Sequence, residues 1–198
     1  MTDPDLLHRA FWFLRHGETD WNRAHRTQGS TDIPLNETGL AQAHQAAAAL
    51  HGQAIRQVIS SPLIRARQTA EIVAATLDVP LRIEPDLREA AFGAHEGEVM
   101  GAWFAAWAAG EAIPEGGESF AAVKSRAIRA INIILATTVP TLLVAHGGLF
   151  RTVRSALGYS AAVRTPNGIP LLCTPTTTGW HISEILPSGG ELGAVGAE

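Results

Sequence analysis

The sequence is poor in several residues that would commit it to common classes. Of 198 residues one is cysteine, Cys173, so an internal disulfide is excluded and a thiolate zinc site cannot be built from it alone. It lies in the apolar run Pro170-Leu171-Leu172-Cys173 and reads as a small buried side chain, not a nucleophile. Basic residues number 15 against 19 acidic ones, a formal net charge of −4. Nucleic-acid binding, which draws on Lys and Arg to neutralise phosphates, is therefore not expected. No window supplies the roughly 18 uninterrupted apolar residues of a membrane helix. The richest stretch, Ala127 to Ala145, is broken by Arg129, Asn132 and Pro140. The opening Met1-Thr2-Asp3-Pro4-Asp5 is acidic where a secretory leader is basic, and no apolar core follows it. The expectation is a cytoplasmic protein with no membrane partner.

What is present describes a globular chain, 46% apolar and 17% charged. Its length suits one domain over residues 1–198, with 189–198 a frayed end. Short apolar runs alternate with helical patterns. Phe11 to Leu14, Gln57 to Ser60 and Thr141 to Ala145 read as buried strands, and Leu81 to Ile83 as a short edge strand. Gly39 to Leu50 reads as a helix with Thr38 as its N-cap. Ser61-Pro62 reads as a cap with proline at the first position of a helix that reaches Leu77. Further helices are expected over Val99 to Ala109, after Ser119, and from Gly147 to about Leu157. Leu171 to Ile185 reads as one or two strands with a turn near Gly179. Repeated strand–helix alternation predicts an α/β fold, a three-layer α/β/α sandwich with a mostly parallel central sheet.

Two features share a shape. Phe11 to Leu14 runs into Arg15-His16-Gly17-Glu18, and Thr141 to Ala145 into His146-Gly147-Gly148. Parallel sheets bind ligands at the carboxyl ends of their strands, so both histidines are expected to face one crevice. Glycine lets the backbone approach a ligand, and the helix opened by Gly147 offers free N–H groups to an anion. A single strand-end histidine is commonly structural; two in matching contexts, one preceded by Arg, point to function. Arg65 falls in the first turn after Ser61-Pro62 and is a candidate phosphate ligand, whereas Arg67 reads as a surface residue. A carboxylic acid nearby could serve as a general acid, but Glu89, Glu96 and Glu98 cannot be ranked from the residues alone.

These residues carry a family resemblance. Arg15-His16-Gly17-Glu18-Thr19 with Trp21-Asn22 resembles the signature of the histidine phosphatase superfamily, the phosphoglycerate-mutase-like family. The resemblance continues in order through Gln28-Gly29, Asp32, Pro34-Leu35, Ser60-Ser61-Pro62 with Arg65-Ala66 and Gln68-Thr69-Ala70, then Leu87-Arg88-Glu89 with Phe92-Gly93 and Glu96-Gly97. Gly117-Glu118-Ser119, His146-Gly147-Gly148 and Arg151 complete it. The resemblance implies that His16 is a nucleophile forming a phosphohistidine. It implies that Arg15, Arg65 and His146 hold the phosphoryl group, assisted by Asn22 and the Gly147 amide, with Gln28 contacting phosphate or substrate. Glu89 would protonate the leaving alcohol and then activate water. No cofactor and no metal are implied, because the arginines supply the neutralising charge. His95 departs from the pattern, standing where many relatives carry Trp, which leaves that pocket wall open to question. His25, His44, His51 and His181 lack ligand spacing and read as surface or structural.

The expected partner is a small phosphorylated metabolite, and a homodimer is left open. No Lys or Arg occurs between Arg88 and Lys124, so a lid for an anionic bisphosphate looks poorly supplied. Trp103, Phe104 and Trp107 suggest an apolar cap, or alternatively packed core. A phosphomonoesterase is therefore expected, with phosphoglycerate mutase-type transfer on the same site as the alternative. A non-catalytic phosphate-binding module would be expected to have lost one of Arg15, His16, Arg65, Glu89 and His146, yet all are present. A metal-dependent hydrolase would need clustered ligands, and the chain has no His-x-x-x-His or Asp-rich motif.

Overall fold

The computed structural model describes residues 5–186, and the frayed end expected at 189–198 lies outside them. In chain order the elements are β1 (Phe11–Arg15), α1 (Asp20–Arg23), α2 (Glu37–Leu50), β2 (Gln57–Ser60), α3 (Ile64–Leu77) and β3 (Leu81–Ile83), followed by α4 (Ala102–Ala108), α5 (Phe120–Ala136), β4 (Thr141–Ala145), α6 (Gly147–Ala156), β5 (Pro170–Thr176) and β6 (Gly179–Glu184). Two short 3-10 turns, Pro85–Leu87 and Gly93–His95, stand between β3 and α4. The strands form one mixed sheet in the order β3-β2-β4-β1-β5-β6. β3, β2, β4 and β1 run parallel, and the β5–β6 hairpin adds antiparallel to β1.

Pleating explains why the strands read as unbroken apolar runs. Along β1, Phe11 and Phe13 enter the core under α5 and α6, while Trp12 and Leu14 enter the one under α2 and α3. On β4, Leu143 and Ala145 share the first face and Leu142 and Val144 the second. Both faces are thus covered, giving the expected three layers. Cys173 is buried in the first core, and burial pushes its thiol pKa up. A third cluster joins Phe92, Phe104, Trp107 and Val123 beneath the α4 segment. Among the described residues no helix is long and apolar enough to cross a membrane.

Three expected element boundaries are corrected. α2 is capped by Asn36, whose side chain accepts from the Gly39 N–H, and not by Thr38. α3 begins at Ile64 and not at Pro62. Its first N–H is satisfied from outside the helix by Asp32 Oδ1 at 2.6 Å, which frees Ser61 from a capping role. The helix expected over 99–109 is limited to Ala102–Ala108. Val99 instead bridges to Arg26, and the Met100 N–H donates to His25 O, pinning this stretch to the loop after α1.

The site follows from the register. β1 and β4 pair in parallel with Arg15 opposite Ala145, and the His16 N–H donates to Ala145 O at 3.0 Å. His16 and His146 are therefore delivered side by side at adjacent strand ends, their ring centroids 5.3 Å apart.

Candidate active site

Both histidines are buried, His16 with 2% of its surface exposed and His146 with none. His16 Nδ1 lies 2.7 Å from the carbonyl oxygen of Gly17. A carbonyl only accepts, so Nδ1 carries the hydrogen and Nε2 keeps its lone pair free. Burial above all, then the charges of Arg65 and Arg15, hold the His16 pKa well below the ordinary histidine value. The ring is neutral, with one nitrogen available as a nucleophile. The turn that carries it is tight: a Cβ on Gly17 would stand 2.3 Å from Gly39 O, so only glycine fits there.

Three buried nitrogens around His16 have no hydrogen-bond partner among the described residues: Arg15 Nε, Arg65 Nε and His146 Nδ1. Buried polar groups are almost always paired, so an unpaired cluster marks a place for a ligand. Each is fixed by its other atoms. Arg15 Nη1 donates to Thr165 O at 2.7 Å, and Arg65 donates through Nη1 to Thr31 O and through Nη2 to Gly29 O. His146 Nε2 lies 2.7 Å from the Ser61 hydroxyl, which also accepts the Leu63 N–H. The hydroxyl still has its hydrogen to offer Nε2, and in that arrangement the hydrogen of His146 stands on Nδ1. Burial first, then Arg65 and His16, lowers the His146 pKa as well. Burial lowers Arg15 and Arg65 to about 10, so both remain guanidinium cations at neutral pH.

Two amides complete this cup in the same way. Asn22 Oδ1 accepts from Thr19 N–H and from Asn167 Nδ2, and Gln28 Oε1 accepts from the Thr19 hydroxyl. With their oxygens engaged inward, both residues keep amide hydrogens for the cavity they line.

The structure separates the three carboxylates that sequence could not rank. Glu89 lines the cavity and is held by three backbone N–H groups: Ala90 and Leu149 to Oε1, Gly148 to Oε2. Glu96 caps a different loop. It accepts from the N–H and hydroxyl of both Ser30 and Thr31 and from the Phe92 N–H, bracing the turn that holds Arg65. Burial pushes its pKa up, and these hydrogen bonds more than offset that, leaving it below the ordinary value. Glu98 pairs with His95 at 2.6 Å on the surface. The expectation that the first N–H groups of α6 face an anionic ligand is corrected in part. Gly148 and Leu149 are used by Glu89, and the Gly147 amide is left to the cup.

His95 stacks on Trp103 at 4.2 Å and does not line the cavity; Phe92, Met100 and Phe104 supply its apolar wall. Trp107 is fully buried core. Arg67 is exposed and pairs with Glu71, and His44, His51 and His181 are at the surface. His25 is also exposed, but it stands at the cavity mouth with a left-handed φ of 54°.

A larger correction concerns charge. The cap segment has no cations, yet the mouth is not neutral, because Arg26 and Arg164 reach it from loops and Arg151 from α6. Sequence reading placed Ser61 in a cap and Glu118 in a family motif without giving either a role in the site, and it missed Asn167 and Arg126. Arg126, 5% exposed, donates to Glu118 and to the carbonyls of Asp86 and Arg88, fixing the turn that presents Glu89. Among the described residues no group of three or more His, Cys, Asp or Glu is placed to hold a metal ion.

The family model of the histidine phosphatase superfamily (branch 1) matches residues 11–182. The chain belongs to the histidine phosphatase superfamily. A curated relative, the probable phosphoglycerate mutase GpmB of Yersinia pestis, is 45% identical over 85 residues, 43% of this chain. The matched stretch covers only 40% of that relative's length. Among solved structures, a mycobacterial glucosyl-3-phosphoglycerate phosphatase in complex with VO3 superposes with a TM-score of 0.78 at 28% identity, covering 88% of this chain and 97% of that one. A protein of Thermus thermophilus gives 0.69 at 37% identity, covering 82% and 92%. Both therefore share the three-layer α/β fold of this chain.

Proposed function

We propose that the protein is a phosphomonoesterase that works through a phosphohistidine on His16. The observation that carries this reading is the set of three buried, unpartnered nitrogens around a neutral histidine whose Nε2 is free. A phosphoryl group in that position satisfies all three at once.

His16 Nε2 attacks phosphorus, a P–N bond forms and the ester P–O bond breaks. The equatorial oxygens are received by Arg15, Arg65, His146 Nδ1–H, the Asn22 amide and the Gly147 N–H. Glu89 enters this half protonated: Oε2, which accepts only the Gly148 N–H, has the free position for that proton, which passes to the departing alkoxide and leaves the carboxylate. In the second half, water attacks phosphorus, Glu89 takes its proton, and inorganic phosphate leaves as the P–N electron pair returns to His16. The two arginines supply the neutralising charge. Hydrolysis is favoured over a mutase reaction by the open mouth, where His25, Arg26, Met100 and Arg164 are all exposed. A mutase must keep water from the phosphoenzyme until a second hydroxyl captures the phosphoryl group.

Acid-labile phosphate trapped from a labelled aryl phosphate tests the intermediate. Wild type is expected to label and His16→Ala to give none; equal labelling of both would overturn the reading. Glu89→Gln tests the acid: hydrolysis of alkyl phosphates is expected to fall about 10²–10⁴-fold, and that of p-nitrophenyl phosphate, whose leaving group needs no proton, far less. Phosphoglycerate isomerisation outpacing free phosphate release would assign the chain to the mutase reaction instead.

A further inference from the structure

The cavity holds more positive charge than a phosphoryl group uses. Arg15, Arg26, Arg65, Arg151 and Arg164 line it, against the single carboxylate of Glu89. A phosphomonoester brings at most about two negative charges at neutral pH, which Arg15 and Arg65 meet. Of the other three, Arg26 donates to Gly97 O at 2.8 Å, and Arg151 donates to Ala161 O and Ala162 O while its guanidinium packs over Phe104. Arg164 is exposed and makes no hydrogen bond or ion pair among the described residues.

Arg164 nevertheless has a fixed mount. The loop between α6 and β5 is strapped across the end of β1 by three hydrogen bonds: Arg15 Nη1 to Thr165 O, Asn167 Nδ2 to His16 O at 2.9 Å, and Gly168 N–H to Arg15 O at 3.1 Å. Arg151, holding Ala161 and Ala162, braces the start of the same loop. A guanidinium is therefore presented at the rim of the phosphate cup on a backbone that the catalytic strand itself positions. Beside it, Thr165 is 4% exposed and lines the cavity, and its hydroxyl has no partner among the described residues. The two arginines are close enough that, after burial, the Arg164 charge is the largest influence lowering Arg15.

We propose that Arg164 is a specificity-determining residue: with the Thr165 hydroxyl it receives a second anionic group, a carboxylate or a second phosphate, carried on the alcohol part of the substrate. The proposal rests on the phosphomonoester reading of the cup. It places substrate selection on the loop after α6, not on the cation-free α4 cap. A planar guanidinium suits either anion, because both accept two parallel N–H donors.

Three esters of one carbon skeleton test it: glycerol 3-phosphate, 3-phosphoglycerate and glycerol 1,3-bisphosphate. Wild type is expected to favour at least one of the charged pair over glycerol 3-phosphate by tenfold or more in kcat/KM, and the better one identifies the anion. Arg164→Ala is expected to collapse that ratio to about twofold or less, and Arg164→Lys to restore part of it. A wild-type ratio near one, or a ratio that Arg164→Ala leaves intact, overturns the proposal. Calorimetric binding of the same esters to His16→Ala, and to His16→Ala with Arg164→Ala, reads the ratio without turnover. If no ester is hydrolysed, the aryl phosphate labelling of His16 decides the phosphatase reading, and the binding ratio separately decides the role of Arg164.

Discussion

A hydroxyl, not a charge, is the partner of His146 Nε2. The proposed phosphoryl contact needs the hydrogen of His146 on Nδ1, the tautomer in which Ser61 accepts the Leu63 N–H and donates to His146 Nε2. Ser61→Ala removes that hydroxyl while leaving both arginines in place. Losing one oriented donor to a transferring group costs about 10²-fold in kcat, and partial retention of the right tautomer should hold the loss to about 10–100-fold. Steady-state kinetics on p-nitrophenyl phosphate measure it, with Ser61→Thr expected to keep most of the rate. Unchanged kcat in Ser61→Ala would show that the hydroxyl does not orient the ring. Sequence reading assigned Ser61 to a helix cap because Ser-Pro is a common way to begin a helix. The residue that satisfies the Ile64 N–H, Asp32, lies 32 positions away, and no local pattern reveals it.

At the scale of elements, the start of α6 is the junction on which the site depends. Its Gly148 and Leu149 N–H groups are spent on Glu89, so helix and acid are built as one unit. A Cβ on Gly148 would stand 2.7 Å from Glu89 Oε1 and 3.0 Å from its Cδ, and the carboxylate would have to leave its seat. Gly148→Ala should therefore reduce hydrolysis of alkyl phosphates about 10²-fold or more. Alanine is the better helix former by roughly 1 kcal/mol, so the melting temperature should not fall through propensity. Activity lost with the fold retained, read by kinetics and thermal denaturation together, is the expected pair. Retained activity would remove Glu89 from the acid role or show that it can shift without cost. The parallel strands and their His-Gly ends were legible in sequence because two-faced burial writes itself as apolar runs. What was not legible lies in loop-to-loop contacts. Glu96 and Glu89 sit seven residues apart in similar surroundings, and only the folded positions of Ser30, Thr31 and α6 tell them apart. Arg164, in a loop without periodicity, gave no signal at all.

The whole molecule conceals this chemistry under a net charge of −4. Its cationic cavity keeps two histidines buried and uncharged, and that arrangement costs stability in acid. His16 and His146 both have folded pKa values well below the ordinary 6.5, with burial as the first cause in each. In the unfolded chain they titrate near 6.5. Above that pH they are neutral in both states and contribute no pH dependence. Below it the unfolded chain binds protons that the folded chain refuses, so stability falls with pH, by up to about 2.7 kcal/mol per unit for two such groups. Glu96 and Glu118, whose hydrogen bonds outweigh burial and lower their pKa values, add to the loss only below about pH 4.5. Denaturant unfolding between pH 7.5 and 5 should therefore show a slope that begins near 6.5. The measurement belongs in a phosphate-free buffer, because phosphate in the cup would stabilise the folded state by mass action. The double variant His16→Asn with His146→Gln, lacking both groups, should flatten the slope over this range. If it keeps the wild-type slope, the acid sensitivity arises elsewhere, and the two histidines are not held neutral by the fold.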